Sequence, residues 1–350
     1  RLTGNGGSWN IDPIDTSTRI IAPDSAVVMN NQIFALCDQG IVTISDVGVQ
    51  VISRPIEDEV VALISTDYTK LKTLTFGLSY ETDRKYYLWT FDSSSDTYPT
   101  KAFVYNTFTQ AWTTRYKPAR HAIVTKEDDK IYLCNPSDKH IFMERKSLTF
   151  RDYIDEEVDG FAIVSSSGTS VVLNTTVGLE VGYLLYSSFT VYAMVTAIDS
   201  VNNTVTVNDV KVWPVGSVTV CKSIDSEIEY AVQHFQNPGV MKHFQECGLL
   251  FRESNFVNGA MSFYTDISGG YSNTNVRGNF GGNIWGAFNW GNIPWGGVER
   301  PKIVRVFVPR EKSRGTLVSI KFRVNNAYAR WALNGVSIQY DWVSERATRA

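Results

Sequence analysis

Histidine and cysteine are scarce in this chain, four of each among 350 residues, and no catalytic signature is spelled in it. There is no Gly-x-Ser-x-Gly elbow, Walker A loop, His-Glu-x-x-His helix or Cys-x-x-Cys pair, so the common nucleophile, phosphate-cradle, zinc and dithiol chemistries lack sequence support. No run approaches the roughly 18 apolar residues of a membrane span, and no charged-then-apolar leader opens the sequence. No stretch of 12 or more residues carries helical periodicity. Charge of either sign is also in small excess. Lys and Arg number 33 against 36 Asp and Glu, a net charge of −3, which excludes a general nucleic-acid coat and leaves only local or weak contact with DNA.

The isolated chemical candidates read as ordinary structure. Gly4-Asn5-Gly6-Gly7 has no strand before it and no Lys-Ser/Thr after it, so it reads as a loop. His234, His243 and Cys247 are suitable zinc donors, but no fourth ligand or zinc spacing accompanies them. The acids from Asp152 to Asp159 sit in a polar run, which reads as a solvated segment rather than a glycosidase pair or a calcium loop. No catalytic residue, cofactor or metal is expected, and the chain reads as non-enzymatic. Cys37, Cys134, Cys221 and Cys247 are far apart and alternate with apolar neighbours, as buried small hydrophobes do, which suits folding in a reducing cytoplasm.

What is present favours strands. Hydrophobic residues reach 43% and aromatics 13%, with Tyr, Phe and Trp carrying the excess. Four β-branched runs between Ala26 and Ser53, separated by Asn30-Asn31, Asp38-Gln39-Gly40 and Asp46-Val47-Gly48, predict a four-stranded meander of propeller-blade size. A second follows with strands over Thr73 to Leu78, Lys85 to Phe91, Ala102 to Asn106 and Ala111 to Tyr116. A third, shorter unit has strands over Ala122 to Thr125, Lys130 to Leu133 and His140 to Arg145. The expected class is all-β. Residues 1–150 form a propeller-like body, 151–160 an acidic linker, 161–223 an inserted small β-barrel of about five strands, and 224–350 a C-terminal β region. The sequence opens at Arg1 in mid-pattern, so an N-terminal portion outside it is expected.

Residues 268–297 stand apart. Three Trp-Gly pairs, at Trp285, Trp290 and Trp295, recur at five-residue intervals among Gly-Gly doublets. Glycine at that density does not hold regular structure, so a long arm used in assembly is expected. From Glu299 to Ala350 eleven basic side chains face four acidic ones, while Arg151 to Ser223 holds eight acidic and three basic. Opposite local charge in one chain suits contacts between subunits, and Arg310, Lys312 and Arg314 join the three tryptophans as candidate assembly contacts.

Several stretches resemble one family. Gly40-Ile41-Val42-Thr43-Ile44-Ser45-Asp46, Gly48 to Ile56, and Val104-Tyr105-Asn106-Thr107-Phe108-Thr109-Gln110-Ala111-Trp112-Thr113 look like blade sequences of the tail nozzle (tubular tail protein B type) of short-tailed bacteriophages. The Trp-Gly arm and Val308-Pro309-Arg310-Glu311-Lys312-Ser313-Arg314 look like that family's C-terminal region. The resemblance implies a virion tail protein, assembled in the host cytoplasm. It further implies six copies in a ring, adaptor and portal-proximal proteins and tail fibres or spikes as partners, and a channel passing duplex DNA without sequence-specific binding. Nozzle proteins of this type are usually longer. The competing readings are a carbohydrate-binding or carbohydrate-cleaving propeller or tail spike, whose Trp rings would stack on sugars, and a bacterial ligand-binding propeller.

Overall fold

The computed structural model describes residues 2–11, 13, 15–136, 140–144, 154–254, 256–279, 302–325, 327 and 331–343. It is all-β, 55% strand and 9% helix, as the residue patterning predicts. The chain divides into two compact units, Arg1–Lys146 and Ser147–Ala350.

The first unit opens with a hairpin of β1 (Leu2–Asn5) and β2 (Ser8–Ile11). Three antiparallel meanders follow, each propeller-blade-like. The first blade is β3 (Val27–Met29), β4 (Gln32–Cys37), β5 (Gly40–Ser45) and β6 (Gly48–Val51). The second is β7 (Phe76–Tyr80), β8 (Lys85–Thr90), β9 (Lys101–Asn106) and β10 (Ala111–Tyr116). The third has β11 (His121–Val124), β12 (Ile131–Cys134) and β13 (Ile141–Met143). Asn30 and Asn31 hold φ of 52° and 59°, the pair of left-handed residues that a two-residue hairpin turn demands and that Asn tolerates.

Strand alternation stacks the blades. In β8, Tyr86 and Leu88 enter a core with Phe34, Leu36 and Ile41 of the first blade, while Tyr87 and Trp89 enter another with Ala122, Ile131 and Leu133 of the third. In β9, Phe103 and Tyr105 point the first way, and Ala102 and Val104 the second. The middle blade is therefore buried on both faces. First and second blades also approach closely at Gly77, where an added Cβ would lie 2.3 Å from the Ser25 carbonyl oxygen. The Tyr86 hydroxyl donates to that same oxygen at 3.1 Å.

Two short helices link these blades, α1 (Glu57–Thr66) and α2 (Tyr68–Leu74). The strand expected over Thr73 to Leu78 therefore begins only at Phe76. The cause is local: the Asp67 carboxylate caps α2 by accepting from the Lys70 amide at 3.0 Å, and Leu71 is carried into the core. Glu57, Asp58 and Glu59 occupy the first turn of α1, where its dipole favours negative charge.

The second unit begins with a closed six-stranded barrel. Its strands are β14 (Ile154–Ser167), β15 (Ser170–Leu173), β16 (Leu184–Tyr186), β17 (Tyr192–Asp199), β18 (Thr204–Val207) and β19 (Gly216–Ser223), in the order β14-β15-β18-β17-β16-β19. This corrects the expected acidic linker. From Ile154 that segment is strand, because its acids lie beside β19 and Glu156 meets Lys222 at 3.1 Å. A register shift between Val158 and Phe161 contains Gly160 at φ +96°, a conformation that glycine adopts freely.

A sandwich completes this unit. One sheet holds β20 (Asp225–Gln233), β26 (Val318–Asn325), β22 (Phe256–Thr265) and β23 (Ser272–Asn279), in that order. In the other, β21 (Lys242–Ser254) pairs with β24 (Lys302–Phe307), β25 (Arg314–Gly315) and β27 (Trp331–Trp342). Phe244, Leu249 and Phe251 of one sheet meet Met261, Phe263, Ile320 and Phe322 of the other. Of the expected arm, Ser272–Asn279 is strand β23, and residues 280–297 lie outside the described residues.

All four cysteines are free thiols. Cys37, Cys221 and Cys247 are buried, but Cys134 is exposed, a departure from the uniform burial read in the sequence: it lies on the outer face of the third blade. In the monomeric native chain at pH 8 a thiol reagent is expected to label one cysteine, Cys134, and in denaturant all four. Four rapid labels on the native protein would contradict the cores described here. Burial pushes the Cys247 thiol up to about 12 and, with Asp38 and Asp15 adding to it, the Cys37 thiol up to about 11, from 9.0. Their contribution to stability is therefore complete below pH 9 and lost as pH rises toward those values.

Candidate assembly surfaces

The sandwich's two outer faces differ. On the β20-β26-β22-β23 sheet, inward Ile320, Phe322 and Val324 alternate with outward Lys321 and Arg323, as a half-buried strand requires. The antiparallel register sets Lys321 opposite Glu229 and Arg323 opposite Glu227, with Asp225 diagonal to Arg323. The Lys321 ammonium lies 2.8 Å from Glu229 and 3.7 Å from Glu227, and 4.7 Å above the Tyr271 ring. The Tyr271 hydroxyl donates to Glu229 at 2.8 Å. The hydrogen bond between Lys321 and Glu229 holds the Lys321 ammonium above the usual lysine range and the Glu229 carboxyl below its own. The Arg323 guanidinium grips Asp225 with two donors, Nε at 2.7 Å and Nη2.

This pairing corrects the charge asymmetry expected from sequence. The C-terminal basic excess is partly spent inside the sandwich, on Asp225, Glu227, Glu229 and, through Arg305 at 3.8 Å, Glu246. All four acids lie between the two segments of opposite charge, outside both. The matching i, i+2 charges of Glu227-Ile228-Glu229 and Lys321-Phe322-Arg323 were the signal for it.

Of the candidate contacts, Arg310 and Arg314 are exposed, the latter in register with His243. Lys312 is not available: it is buried, and its ammonium donates to the carbonyls of Ser268 and Gly269 at 3.0 and 2.6 Å. It pins the turn that precedes β23 and is a structural clamp. A second clamp, missed in the sequence, is Lys242, whose buried ammonium donates to the carbonyls of Asn237, Val240 and Thr316 at 2.7, 3.0 and 2.9 Å. Nothing in residue type marks it, because its partners are backbone. Trp285, Trp290 and Trp295 lie outside the described residues.

Between barrel and sandwich runs an open groove of about 390 Å³. Val181, Met194 and Val195 give it an apolar side, and Thr196, Asn275, Arg323 and Asn325 a polar one. Among the described residues, no group of three or more His, Cys, Asp or Glu is placed to hold a metal ion. No helix of the described residues is long and apolar enough to cross a membrane. The chain matches no family model and no curated protein sequence.

Proposed function

We propose that the chain is a structural, non-enzymatic component of a phage tail, a nozzle or hub subunit whose copies close into a ring around a channel for genome retention and ejection. One observation carries this reading. The three stretches that look like nozzle blade sequences fall on β5, β6 and β9–β10 of adjacent blades, which are tied together where the Trp112 indole N–H donates to the Ile52 carbonyl at 3.0 Å. The resemblance would place six copies together, below an adaptor and carrying fibres or spikes.

A conduit must avoid gripping its cargo, because every phosphate neutralised by Lys or Arg adds salt-dependent affinity that slows a moving duplex. The acidic strand at β14, with Asp155 and Asp159 exposed and Glu156 held by Lys222, is a suitable channel lining. Native mass measurement and electron-microscopy class averages test the reading. A closed ring, sixfold and with a central hole, is expected. A monomer at high concentration, or a lumen walled by Arg310 and Arg314, overturns it.

The groove favours one second reading, binding of a polyhydroxylated ligand such as a glycan by Arg323, Asn275, Asn325 and Thr196. Its lining includes no aromatic ring for a sugar to stack on, which ranks it below the first. Saturable binding of a polysaccharide by the wild type, abolished by Asn275→Ala, would raise it.

A further inference from the structure

The hairpin β1–β2 is an amphipathic ribbon. Trp9 and Ile11 are two residues apart on β2 and share one face, with Ser8 and Asn10 on the other. Both apolar side chains are open to solvent, Trp9 at 64% and Ile11 at 78%. A lone two-stranded hairpin is marginal in water and needs a further strand or a packed face to persist.

The same unit carries a second uncovered apolar face. In the third blade, Ile123 stands opposite Tyr132, which stands opposite Met143, while Cys134 stands opposite Ile141. Directly paired residues project from one side of a sheet, so all five share the outer face. The other side, with Ala122, Ile131 and Leu133, is packed against the second blade. On the outer face Ile123 is 60% exposed and Ile141 68%. Blades in this unit bury apolar faces against one another, and this face has the composition of one that is stacked.

We propose that the β1–β2 hairpin of one copy packs its Trp9 and Ile11 face onto the Ile123, Ile141 and Met143 face of the third blade in a second copy. Two different uncovered apolar surfaces on one unit make a head-to-tail contact, which leaves neither exposed once such contacts close into a ring. The strands are of matching length, four residues in the hairpin and three to four in the receiving sheet. Trp9 is the anchor, since a buried aromatic at the centre of a contact carries most of its affinity. The proposal rests on the ring reading above and adds the surfaces that make the contact.

The exposed Cys134 on the receiving face supplies the test. Trp9→Cys combined with Cys134→Ser is mixed with wild type and mildly oxidised. The expected result is a disulfide joining the two different chains, located by peptide mapping at positions 9 and 134, and absent when the double variant is oxidised alone. In parallel, Trp9→Ala with Ile11→Ser, on an exposed hairpin that leaves every blade core intact, should move the assembly midpoint to at least roughly tenfold higher concentration in native mass measurements. Its thermal unfolding should match wild type. An adduct formed within one chain in the single Trp9→Cys variant, or wild-type assembly by the hairpin variant together with no mixed disulfide, overturns the proposal while leaving the ring standing. A mixed disulfide in an open chain or dimer supports the docking and removes the ring. A wild-type monomer without the disulfide removes both.

Discussion

Replacing Trp89 with alanine is expected to lower the stability of the blade unit by about 3–5 kcal/mol, the range for emptying a buried indole site. Trp89 is fully buried in the middle of β8. Its ring stacks on Phe76 at 5.5 Å with 6° between planes, and on Tyr87 at 5.2 Å. The indole N–H reaches the Lys117 carbonyl only at 3.4 Å, so packing outweighs that long hydrogen bond. Trp89→Phe, which keeps a stacked ring and loses the donor, should cost about 1–2 kcal/mol. Urea titration by far-UV circular dichroism measures the difference, and hydrogen exchange should show β7 and β8 losing protection first. A cost below about 1 kcal/mol for Trp89→Ala would falsify the two-sided burial of the second blade.

Lys242→Met should destabilise the sandwich unit by about 3 kcal/mol, because it strands three carbonyls whose individual desolvation costs about 1–3 kcal/mol each and which water only partly reaches. The methylene stem is kept, so the loss reports the ammonium. That ammonium also lies 5.3 Å above the Trp342 ring. Burial holds it below the usual lysine range, with the Asp266 charge acting the other way. The sign follows from proton linkage. The unfolded chain binds this proton more tightly than the folded one, so the group adds a rise in stability as pH climbs toward its unfolded value of 10.5. Lys242→Met should lack that rise. Hydrogen exchange over residues 237–242 and 314–317 should accelerate in the variant; unchanged exchange and an unchanged unfolding midpoint would show the carbonyls to be hydrated without the lysine.

The blades were legible because their turns are written in residue type: Asn30-Asn31 and Asn202-Asn203 mark hairpins, and Asn30, Asn31 and Asn203 do take positive φ. The barrel was legible from its β-branched runs. Helices α1 and α2, of ten and seven residues, are shorter than the window in which a 3.6-residue period declares itself. Strand β14 was hidden because a cluster of acids reads as solvent-loving whether or not the backbone beneath it is paired. Site reasoning failed at longer range. Arg323 and Asp225 are 98 residues apart, so their neutralisation comes from sheet register alone. Lys312 and Lys242 look like surface residues in the sequence, and only the carbonyls that surround them reveal the clamp.

The barrel has a property of attachment that follows from its closure. The chain enters it at Ile154 and leaves at Ser223, and these two residues are partners across the β14–β19 ladder. Entry and exit therefore form a two-stranded stem, and on the other side the Ala327 amide donates to the Gly182 carbonyl at 3.2 Å while Ala327 packs against Leu184, Tyr186 and Met194 of the barrel. A body held in this way is a natural point of exchange in evolution, because a stem whose ends already touch accepts insertion, enlargement or deletion without moving what lies before and after it. Descendants of this chain could trade the barrel for another small domain at Ile154 and Ser223 and keep their blades unchanged.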